Sequence, residues 1–226
     1  VTPRKDTPVH YGGRLAWHAD GTLLLTTGDG FDYREAAQDL GSQMGKLIRM
    51  NPDGSPADGN PFAEAPYVWS YGHRNPQGLS VTAEGTVWLH EHGPKGGDEV
   101  NVIEPGVNYG WPVVTYGLDY NGAYVSPFTE LESMRQPLHV WTPSIAPSGL
   151  TVYEGTLFPE WHGDLFVGAL VDKDVRRLDV EDGEILSEEV LFEEIGERIR
   201  DVATGPDGAI YILAEGEPGT LWRVTR

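Results

Sequence analysis

The sequence predicts an all-β protein, and a β-propeller in particular, from three observations. One pattern recurs four times along the chain: an apolar stretch, a turn with glycine, an alternating apolar strand and a closing glycine. A further strand with alternating side chains follows each copy. Glycine and proline, at 29 and 17 of 226 residues, exceed their usual combined share of roughly 12%, as expected for short strands joined by tight turns.

The four copies share their order but not their spacing. They lie at residues 15–28, 79–93, 165–170 and 202–216. The strands predicted after them lie at residues 46–51, 99–104, 175–180 and 220–225. The positive φ that a tight hairpin needs is supplied by Gly21, Gly85, Gly163 and Gly208. Their unequal intervals indicate propeller blades that carry insertions, and a β-sandwich with similar hairpins is the alternative.

Helices and domain boundaries leave weaker signals. Residues 32–47 are expected to hold one or two helical turns, and residues 186–199 mix acidic and apolar side chains without a clean helical stripe. No linker divides the chain, so we expect one domain over residues 1–226. The proline-rich segment 51–66 is predicted to join one blade to the next.

Composition and charge exclude several classes of partner. Asp and Glu number 35 against 16 Lys and Arg, a formal charge of -19, so no basic stripe is available to bind nucleic acid or an anionic membrane. No apolar run reaches the roughly 18 residues that span a bilayer, and no leader precedes Val1. Without cysteine there is no disulfide and no thiolate metal site. We expect the acidic surface to serve solubility.

Four sequence motifs contain side chains suited to catalysis or ligand binding. They are VHYGGRL at 9–15, YGHRNPQGL at 71–79, EHGPKGGDEVN at 91–101 with NYGWP at 108–112, and RIRDV at 198–202. In the first, His10 precedes two glycines that let the chain turn sharply, and imidazole titrates near neutral pH. On the residues alone, a single histidine at a strand edge is more often structural.

Arg74 and the turn after His92 each allow two interpretations. Arg74 lies in a segment rich in glycine and proline, where a surface ion pair is the ordinary interpretation. Gly93 and Pro94 offer backbone carbonyls that suit a hard cation such as Ca²⁺. Alternatively, His90 and His92 face the same way on a strand and bind a transition metal, although no third ligand is evident.

Arg198 and Arg200 flank Ile199, and on a strand their guanidiniums point to one side. Paired arginines bind carboxylates in a charge-assisted geometry. In a chain this acidic, neighbouring side chains neutralise them equally well. The neighbouring acids are Glu194, Glu197 and Asp201.

Taken together and in this order, the motifs closely resemble the soluble pyrroloquinoline quinone (PQQ) dependent aldose sugar dehydrogenases, the glucose/sorbosone dehydrogenase family. The resemblance runs from His10 to the C-terminus. It implies a six-bladed propeller, of which this chain represents about four blades, with about two unaccounted for at the N-terminus. Residues 1–226 are therefore expected to form an incomplete propeller domain.

The resemblance assigns roles around the cofactor. His10 becomes the general base that takes the proton of the sugar C1 hydroxyl. Arg74 lies against the quinone oxygens, where it stabilises developing negative charge, and Asn75 holds the cofactor and Arg74 in register. The carbonyls of Gly93 and Pro94 bind a Ca²⁺ that also grips PQQ.

More distant positions are implied to contact the cofactor or a second ion. A structural Ca²⁺ is held by Thr115, Gly117 and Asp119. Contacts to PQQ extend to Ser144, Lys173, Arg198 and Arg200. The two arginines meet the cofactor carboxylates.

Two positions depart from the family pattern, and a third lies behind the calcium turn. The residue before the base is an Asp in part of the family and Val9 here, so carboxylate tuning of the base from that position is absent. Lys173 comes one residue later than the family spacing of the cofactor lysine. Asp98 is implied to support the Gly93 turn from behind.

The implied activity is the oxidation of an aldose at C1 to its lactone by base-assisted hydride transfer to PQQ, with an external electron acceptor. The implied location is the periplasm or the cell exterior, and the oligomeric state stays open. Two other classes remain as alternatives. One is a metal-dependent propeller lactonase, which needs a carboxylate-rich metal site on the axis. The other is a non-catalytic propeller that binds partners or glycans.

Overall fold

The protein is built from antiparallel β-sheets, as seen in a computed structural model that describes residues 7–226. It divides into two compact units, Val1–Ser144 and Ile145–Arg226. Over the described range each unit holds two sheets. Within the same range, no helix combines the length and the apolar content that crossing a bilayer requires.

The first unit contains two four-stranded sheets in which neighbours in sequence pair with each other. The first sheet consists of β1 (Gly12–Trp17), β2 (Leu23–Thr27), β3 (Lys46–Met50) and β4 (Val68–Tyr71). The second consists of β5 (Pro76–Val81), β6 (Val87–Glu91), β7 (Asp98–Ile103) and β8 (His139–Trp141). An up-and-down sheet of four strands is the unit of a propeller blade.

The second unit repeats this arrangement with one strand fewer. Its four-stranded sheet consists of β9 (Pro147–Val152), β10 (Leu165–Ala169), β11 (Val175–Glu181) and β12 (Glu184–Leu191). Its three-stranded sheet consists of β13 (Ile199–Thr204), β14 (Ile210–Ala214) and β15 (Thr220–Val224). The all-β prediction is confirmed and the sheets are propeller-like. The six-bladed count and the single domain remain predictions.

Position within a sheet decides how a strand is buried. The inner strands β6 and β10 are buried along their whole length, whereas the edge strand β12 exposes most of its side chains. Apolar side chains form a core in each unit. The core of the first unit comprises Leu24, Leu47, Leu79, Val87, Leu89, Ile103 and Tyr109. That of the second comprises Tyr153, Phe158, Phe166, Val175, Ile199, Val202, Ile210, Ile212 and Ala214.

Three of the four predicted tight hairpin turns are confirmed, and they join β1 to β2, β5 to β6 and β13 to β14. The turn at Gly163 is present, but a tight hairpin there was a wrong prediction, because residues 153–164, which include a 3-10 helix, connect β9 to β10. The turn glycines Gly21, Gly85, Gly163 and Gly208 have φ values of 83°, 97°, 96° and 75°. The strand predicted after each copy is also present, as β3, β7, β11 and β15, and alternating side chains were sufficient to identify all four.

The segment 51–66 does not join two blades, so this prediction was wrong. It connects β3 to β4 within one sheet and folds back onto β3. The side-chain amide of Asn60 donates to the Arg49 carbonyl at 2.8 Å, and Nη1 of Arg49 donates to the Asp58 carbonyl at 3.0 Å. These bonds satisfy backbone carbonyls that would otherwise have no partner in the long β3–β4 loop.

The expected helical turns are short. In the segment 32–47 a 3-10 helix occupies Arg34–Gln38. The segment 186–199 contains the end of β12 and a 3-10 helix at Glu193–Ile195. A third 3-10 turn, Pro159–Trp161, precedes the turn glycine of the β9–β10 connection.

Gly163→Ala tests whether the turn glycines are required by their backbone conformation. A Cβ at Gly163 meets no atom within 4 Å, so the φ of 96° is the main source of strain. We expect the free energy of unfolding to fall by about 1–2 kcal/mol, measured by urea denaturation with an unchanged m-value. Gly163→Asn is the control and should lose less, because Asn tolerates positive φ. An alanine variant as stable as the wild type contradicts this account.

Candidate active site

A cleft of about 310 Å³ in the first unit brings together side chains from separate segments. Four of the residues predicted from the sequence line it, namely His10, Arg74, Pro94 and Asp119. Aromatic side chains of Phe31, Trp111 and Tyr120 form much of its wall. A cleft of this size that brings charged side chains together with aromatic ones is typical of a small-molecule site.

His10 is aimed by the sharp turn that the sequence predicted. His10 itself has a φ of 58°, and Gly12 and Gly13 follow with φ values of 66° and 100°. Its Nδ1 lies 2.7 Å from Oδ1 of Asp29. An ionised carboxylate only accepts hydrogen bonds, so Nδ1 carries the proton. That tautomer leaves Nε2 with a lone pair for the cleft.

Asp29 is the functional residue that the sequence analysis missed. It is 1% exposed, and besides His10 it accepts the backbone N–H of Phe31 at 2.7 Å and Nε1–H of Trp111 at 2.8 Å. The carboxylate that Val9 cannot supply therefore reaches His10 from a point 19 residues further along the chain. The signal in the sequence was an acid between two glycines directly after a predicted strand.

Gly28 explains how this pairing is possible. A Cβ at that position would lie 2.2 Å from the His10 carbonyl oxygen, so only glycine lets the two segments approach so closely. Backbone bonds fix the approach, because Gly30 N–H donates to the His10 carbonyl at 3.1 Å and Asp29 N–H donates to the Arg74 carbonyl at 2.8 Å. His10, Asp29 and Arg74 thus belong to one hydrogen-bonded framework.

Arg74 is buried, at 4% exposure, so the alternative of a surface ion pair is wrong. Its Nη1 donates to the carbonyls of His92 at 3.0 Å and Gly93 at 2.6 Å, and its Nη2 donates to the Tyr120 hydroxyl at 3.3 Å. Among the described residues, no carboxylate forms an ion pair with its guanidinium. A buried cation without an anion is costly and is suited to receive one.

The loop that carries Arg74 is held by Glu91, the last residue of β6. One carboxylate oxygen of this buried residue accepts the backbone N–H groups of Arg74 and Asn75, the latter at 3.1 Å. The other lies 3.0 Å from Nδ1 of His73. Asn75 also accepts a hydrogen bond from Gln77 at 3.0 Å through Oδ1. The predicted contact of Asn75 with a cofactor stays a prediction.

The turn predicted to bind Ca²⁺ is supported from behind by Asp98, which is fully buried. Its Oδ1 accepts the Gly93 N–H at 2.9 Å, and its Oδ2 accepts the Ser144 hydroxyl at 2.5 Å. The Gly93 carbonyl already accepts Arg74, which leaves it one lone pair. Ser144 is thereby linked to the back of the Gly93 turn, and its predicted contact with PQQ is untested.

Acidic and histidine side chains do not gather into a metal cluster in residues 7–226, where no group of three or more ligating side chains is found. The transition-metal alternative at His90 and His92 therefore gains no third ligand. Asp119 lines the cleft, with Oδ2 3.8 Å from Nη1 of Arg34. The second Ca²⁺ at Thr115, Gly117 and Asp119 stays a prediction. Two of its three predicted ligands are backbone carbonyls, so the absence of a side-chain cluster from residues 7–226 does not bear on it.

Three predicted cofactor residues lie in the second unit. Arg198 and Arg200 point away from the buried Ile199, as the strand pattern predicted. Both pair with Glu215, at 3.5 Å and 2.7 Å, and not with the acids nearest in sequence. Lys173 is exposed and donates through Nζ to the Gly196 carbonyl at 3.0 Å.

Glu215 was missed as their partner because it is near in space and distant in sequence. It follows β14 directly, and β14 pairs with β13 so that Ala214 lies opposite Ile199. Cross-strand neighbours on one face of a sheet interact directly. The register of the hairpin, which sequence spacing alone does not fix, decides this pairing.

The chain is similar to known proteins over nearly its whole length. The sequence model of the glucose/sorbosone dehydrogenase family matches residues 1–223. The chain belongs to this family. It is 40% identical to the aldose sugar dehydrogenase YliI of Escherichia coli over 231 residues, which is 99% of this chain and 62% of that protein. The chain therefore spans less than two thirds of the length of this relative.

Solved structures show the same fold. The apo-form of the soluble aldose sugar dehydrogenase of E. coli matches with a TM-score of 0.93 at 39% identity, covering 99% of this chain and 67% of that one. The PQQ-bound form of an aldose sugar dehydrogenase from Streptomyces coelicolor matches with a TM-score of 0.78 at 30% identity, covering 95% and 61%.

Glu99, beside the loop that carries Arg74, makes the stability of the fold depend on pH. It lies opposite Glu91 in the β6–β7 ladder. Burial and the negative charges of Glu91 and Asp98 raise the pKa of Glu99 from 4.5 to about 8. The folded protein therefore holds a proton there that the unfolded chain has released, and stability falls as pH rises between these two values.

Glu99→Gln should remove this pH dependence. The variant is expected to gain stability relative to the wild type on going from about pH 5 to about pH 8.5, because it has no carboxyl to ionise beside Glu91. Urea unfolding at both pH values measures the gain. Glu84→Gln, on an exposed turn, is the control and should show no such gain. Parallel stability curves for the Glu99 variant and the wild type would refute the assignment.

Proposed function

We propose that this chain forms the catalytic part of a PQQ-dependent dehydrogenase that oxidises an aldose sugar at C1 to its lactone. The observation that carries the proposal is the convergence of His10, with its buried acid, and of the unpaired guanidinium of Arg74 on one cleft. Family membership and the PQQ-bound relative support it. A lactonase receives less support, because the described residues offer no carboxylate-rich metal cluster.

His10 acts as the general base. Asp29 accepts the hydrogen bond from Nδ1, fixes the ring and stabilises the imidazolium that forms. Nε2 takes the proton of the sugar C1 hydroxyl. The T-shaped contact of His10 with Phe31, at a centroid distance of 5.1 Å, supports the ring from a second side. The base is therefore prepared before substrate binds.

The cleft fits an anionic, flat cofactor such as PQQ. Nε of Arg74 is buried and has no acceptor in the described part of the chain, and a buried charged donor left unpaired costs free energy. A cofactor oxygen or carboxylate would satisfy it, and the aromatic walls suit a fused ring system. When bound, PQQ supplies the two-electron acceptor for the hydride that leaves C1. Arg74 then provides fixed positive charge where negative charge develops.

Ca²⁺ is proposed at the carbonyls of Gly93 and Pro94. These two oxygens provide part of the six to eight ligands that Ca²⁺ takes, and the cofactor would complete the shell. A second ion at Thr115, Gly117 and Asp119 is retained from the resemblance. Either ion would act as a positive charge that tightens binding of an anionic cofactor.

The remaining contacts are proposals that follow from the family resemblance. By that resemblance, Asn75, Ser144, Lys173, Arg198 and Arg200 are proposed to contact PQQ. The other partners are an aldose substrate and an external electron acceptor. The proposed location, which follows from the family resemblance, is the periplasm or the cell exterior. Assays use the full-length protein, because this chain spans 62% of its E. coli relative.

His10→Ala should abolish sugar-dependent dye reduction while PQQ affinity stays nearly unchanged. A positioned general base contributes about 10²–10⁴-fold to rate, and the substitution leaves Arg74, the buried cation of the cleft, in place. Steady-state turnover with PQQ, Ca²⁺ and glucose, together with fluorescence titration of PQQ, measures both quantities. His162→Ala, an exposed histidine, is the control. If the His10 variant keeps its rate, the assignment of the base is wrong.

Arg74→Lys should lower turnover by about tenfold or more and also weaken PQQ binding. Lysine keeps the charge but loses the planar fork that here spans two carbonyls and the cleft. Stopped-flow reduction of bound PQQ and equilibrium titration separate the two effects. Arg223→Lys, in an exposed pair with Asp207, is the matched control. Unchanged reduction kinetics in the Arg74 variant would exclude a role in charge stabilisation.

A further inference from the structure

Trp111, in the NYGWP motif, is fixed by its backbone to two segments of the site. Its N–H donates to the Gly72 carbonyl at 2.9 Å, two residues before Arg74. Its carbonyl accepts Nε2–H of Gln38 at 2.7 Å, from the segment that follows Asp29. Trp111 is 7% exposed. The residue therefore has little freedom to move independently of either segment.

The side chain of Trp111 contacts both functional groups. Its Nε1–H donates to Oδ2 of Asp29 at 2.8 Å, while Oδ1 of the same carboxylate binds His10 at 2.7 Å. The guanidinium carbon of Arg74 lies 5.1 Å from the centre of the Trp111 ring. Tryptophan is the aromatic side chain that best attracts a cation over its face. One indole thus supports the acid behind the base and the buried cation.

We propose that Trp111 is a positioning residue that couples the general base to Arg74 and sets how strongly Asp29 holds the protonated form of His10. This role rests on the proposed function for its catalytic meaning, although the coupling itself exists without cofactor. The indole shares the negative charge of a buried carboxylate, so less of that charge is available to the imidazolium. Loss of the indole donor leaves Asp29 a stronger acceptor for His10.

Other charged groups also face the cleft that His10 lines, and any pH effect is read against them. They are Asp29, Asp32, Arg34, Arg74 and Asp119. Of the groups in the described residues, Asp29 is the one that pairs with His10. A change confined to the indole leaves the other four in place, so a shift in the titration of His10 reports on the Trp111–Asp29 bond.

Trp111→Phe is the decisive variant, because phenylalanine keeps an aromatic face under Arg74 and removes the N–H. NMR titration of the apo protein, with the His10 signal assigned by His10→Gln, should show the His10 midpoint raised by roughly half a pH unit or more. This measurement needs no cofactor. If PQQ-dependent turnover is never found but the midpoint shifts, the proposed function fails and the coupling stands.

Trp69→Phe is the matched control. The guanidinium carbon of Arg49 lies 4.7 Å from the centre of the Trp69 ring, so this tryptophan also lies beneath an arginine. Its buried Nε1–H has no acceptor among the residues that the structure describes. Substitution there removes an indole donor that bonds nothing, and the His10 midpoint should stay at the wild-type value. A Trp111→Phe variant that titrates like Trp69→Phe overturns the proposal.

The wild-type protein provides a test that does not depend on the variant folding. The indole ¹H–¹⁵N signal of Trp111 should shift through the titration of His10, because a positive charge on the imidazole polarises the carboxylate that both groups bind and so weakens its hydrogen bond with the indole. An indole signal that stays constant through that titration also overturns the proposal. The signal is assigned by its absence in Trp111→Phe or, if that variant does not fold, by three-dimensional spectra.

Activity gives the catalytic side of the same test. In Trp111→Phe the acidic limb of kcat/KM against pH should move in the same direction as the His10 midpoint, with PQQ affinity within about threefold of wild type. Trp111→Leu lacks the ring as well and should in addition weaken PQQ binding, since Arg74 loses its aromatic support. A lower kcat for Trp111→Phe with an unmoved pH profile would indicate a structural role and contradict the coupling.

Discussion

The burial of an arginine that faces no acid is the constraint on which this site depends. The chain carries 35 acidic residues, yet Arg74 is paired within the described residues only with carbonyls, a phenol and aromatic faces. Neutral oxygens solvate the guanidinium without cancelling its charge, so the charge stays available to an anion in the cleft. Glu91, the last residue of β6, binds the backbone of Arg74 and not its side chain. This separation of roles keeps the loop rigid and the cation unpaired.

The sheets of the first unit make this arrangement possible because their strand ends present loops to one cleft. Asp29 follows β2, Glu91 ends β6, and the Gly93 turn leads into β7. The acids at these strand ends accept hydrogen bonds from the backbone of neighbouring loops. Close backbone approach at Gly28 brings the His10 segment into the same framework. The positions of His10, Asp29 and Arg74 are thereby set by the backbone, and in the proposed reaction this limits the reorganisation that the site requires.

Local turn and strand patterns made much of the fold predictable, whereas contacts between residues distant in sequence could not be predicted. Hairpins were predictable because a glycine between period-two segments is sufficient to specify a tight turn, as at Gly21 and Gly85. The segment 51–66 was misassigned because its composition shows a loop but not whether the next strand belongs to the same sheet. In the site, His10 and Arg74 were found through their motifs. Asp29 and the Glu215 partner of Arg200 were missed, since side-chain pairing between distant segments depends on register and close packing.

The most direct test of the central claim is a crystal structure of the full-length protein grown with PQQ and Ca²⁺. The account predicts that PQQ lies in the cleft lined by His10 and Arg74, with Nε of Arg74 within about 3 Å of a cofactor oxygen. It also predicts that the His10–Asp29 and Trp111–Asp29 bonds are retained. A cofactor bound away from this cleft, or an Arg74 whose Nε stays unpaired beside it, would contradict the account.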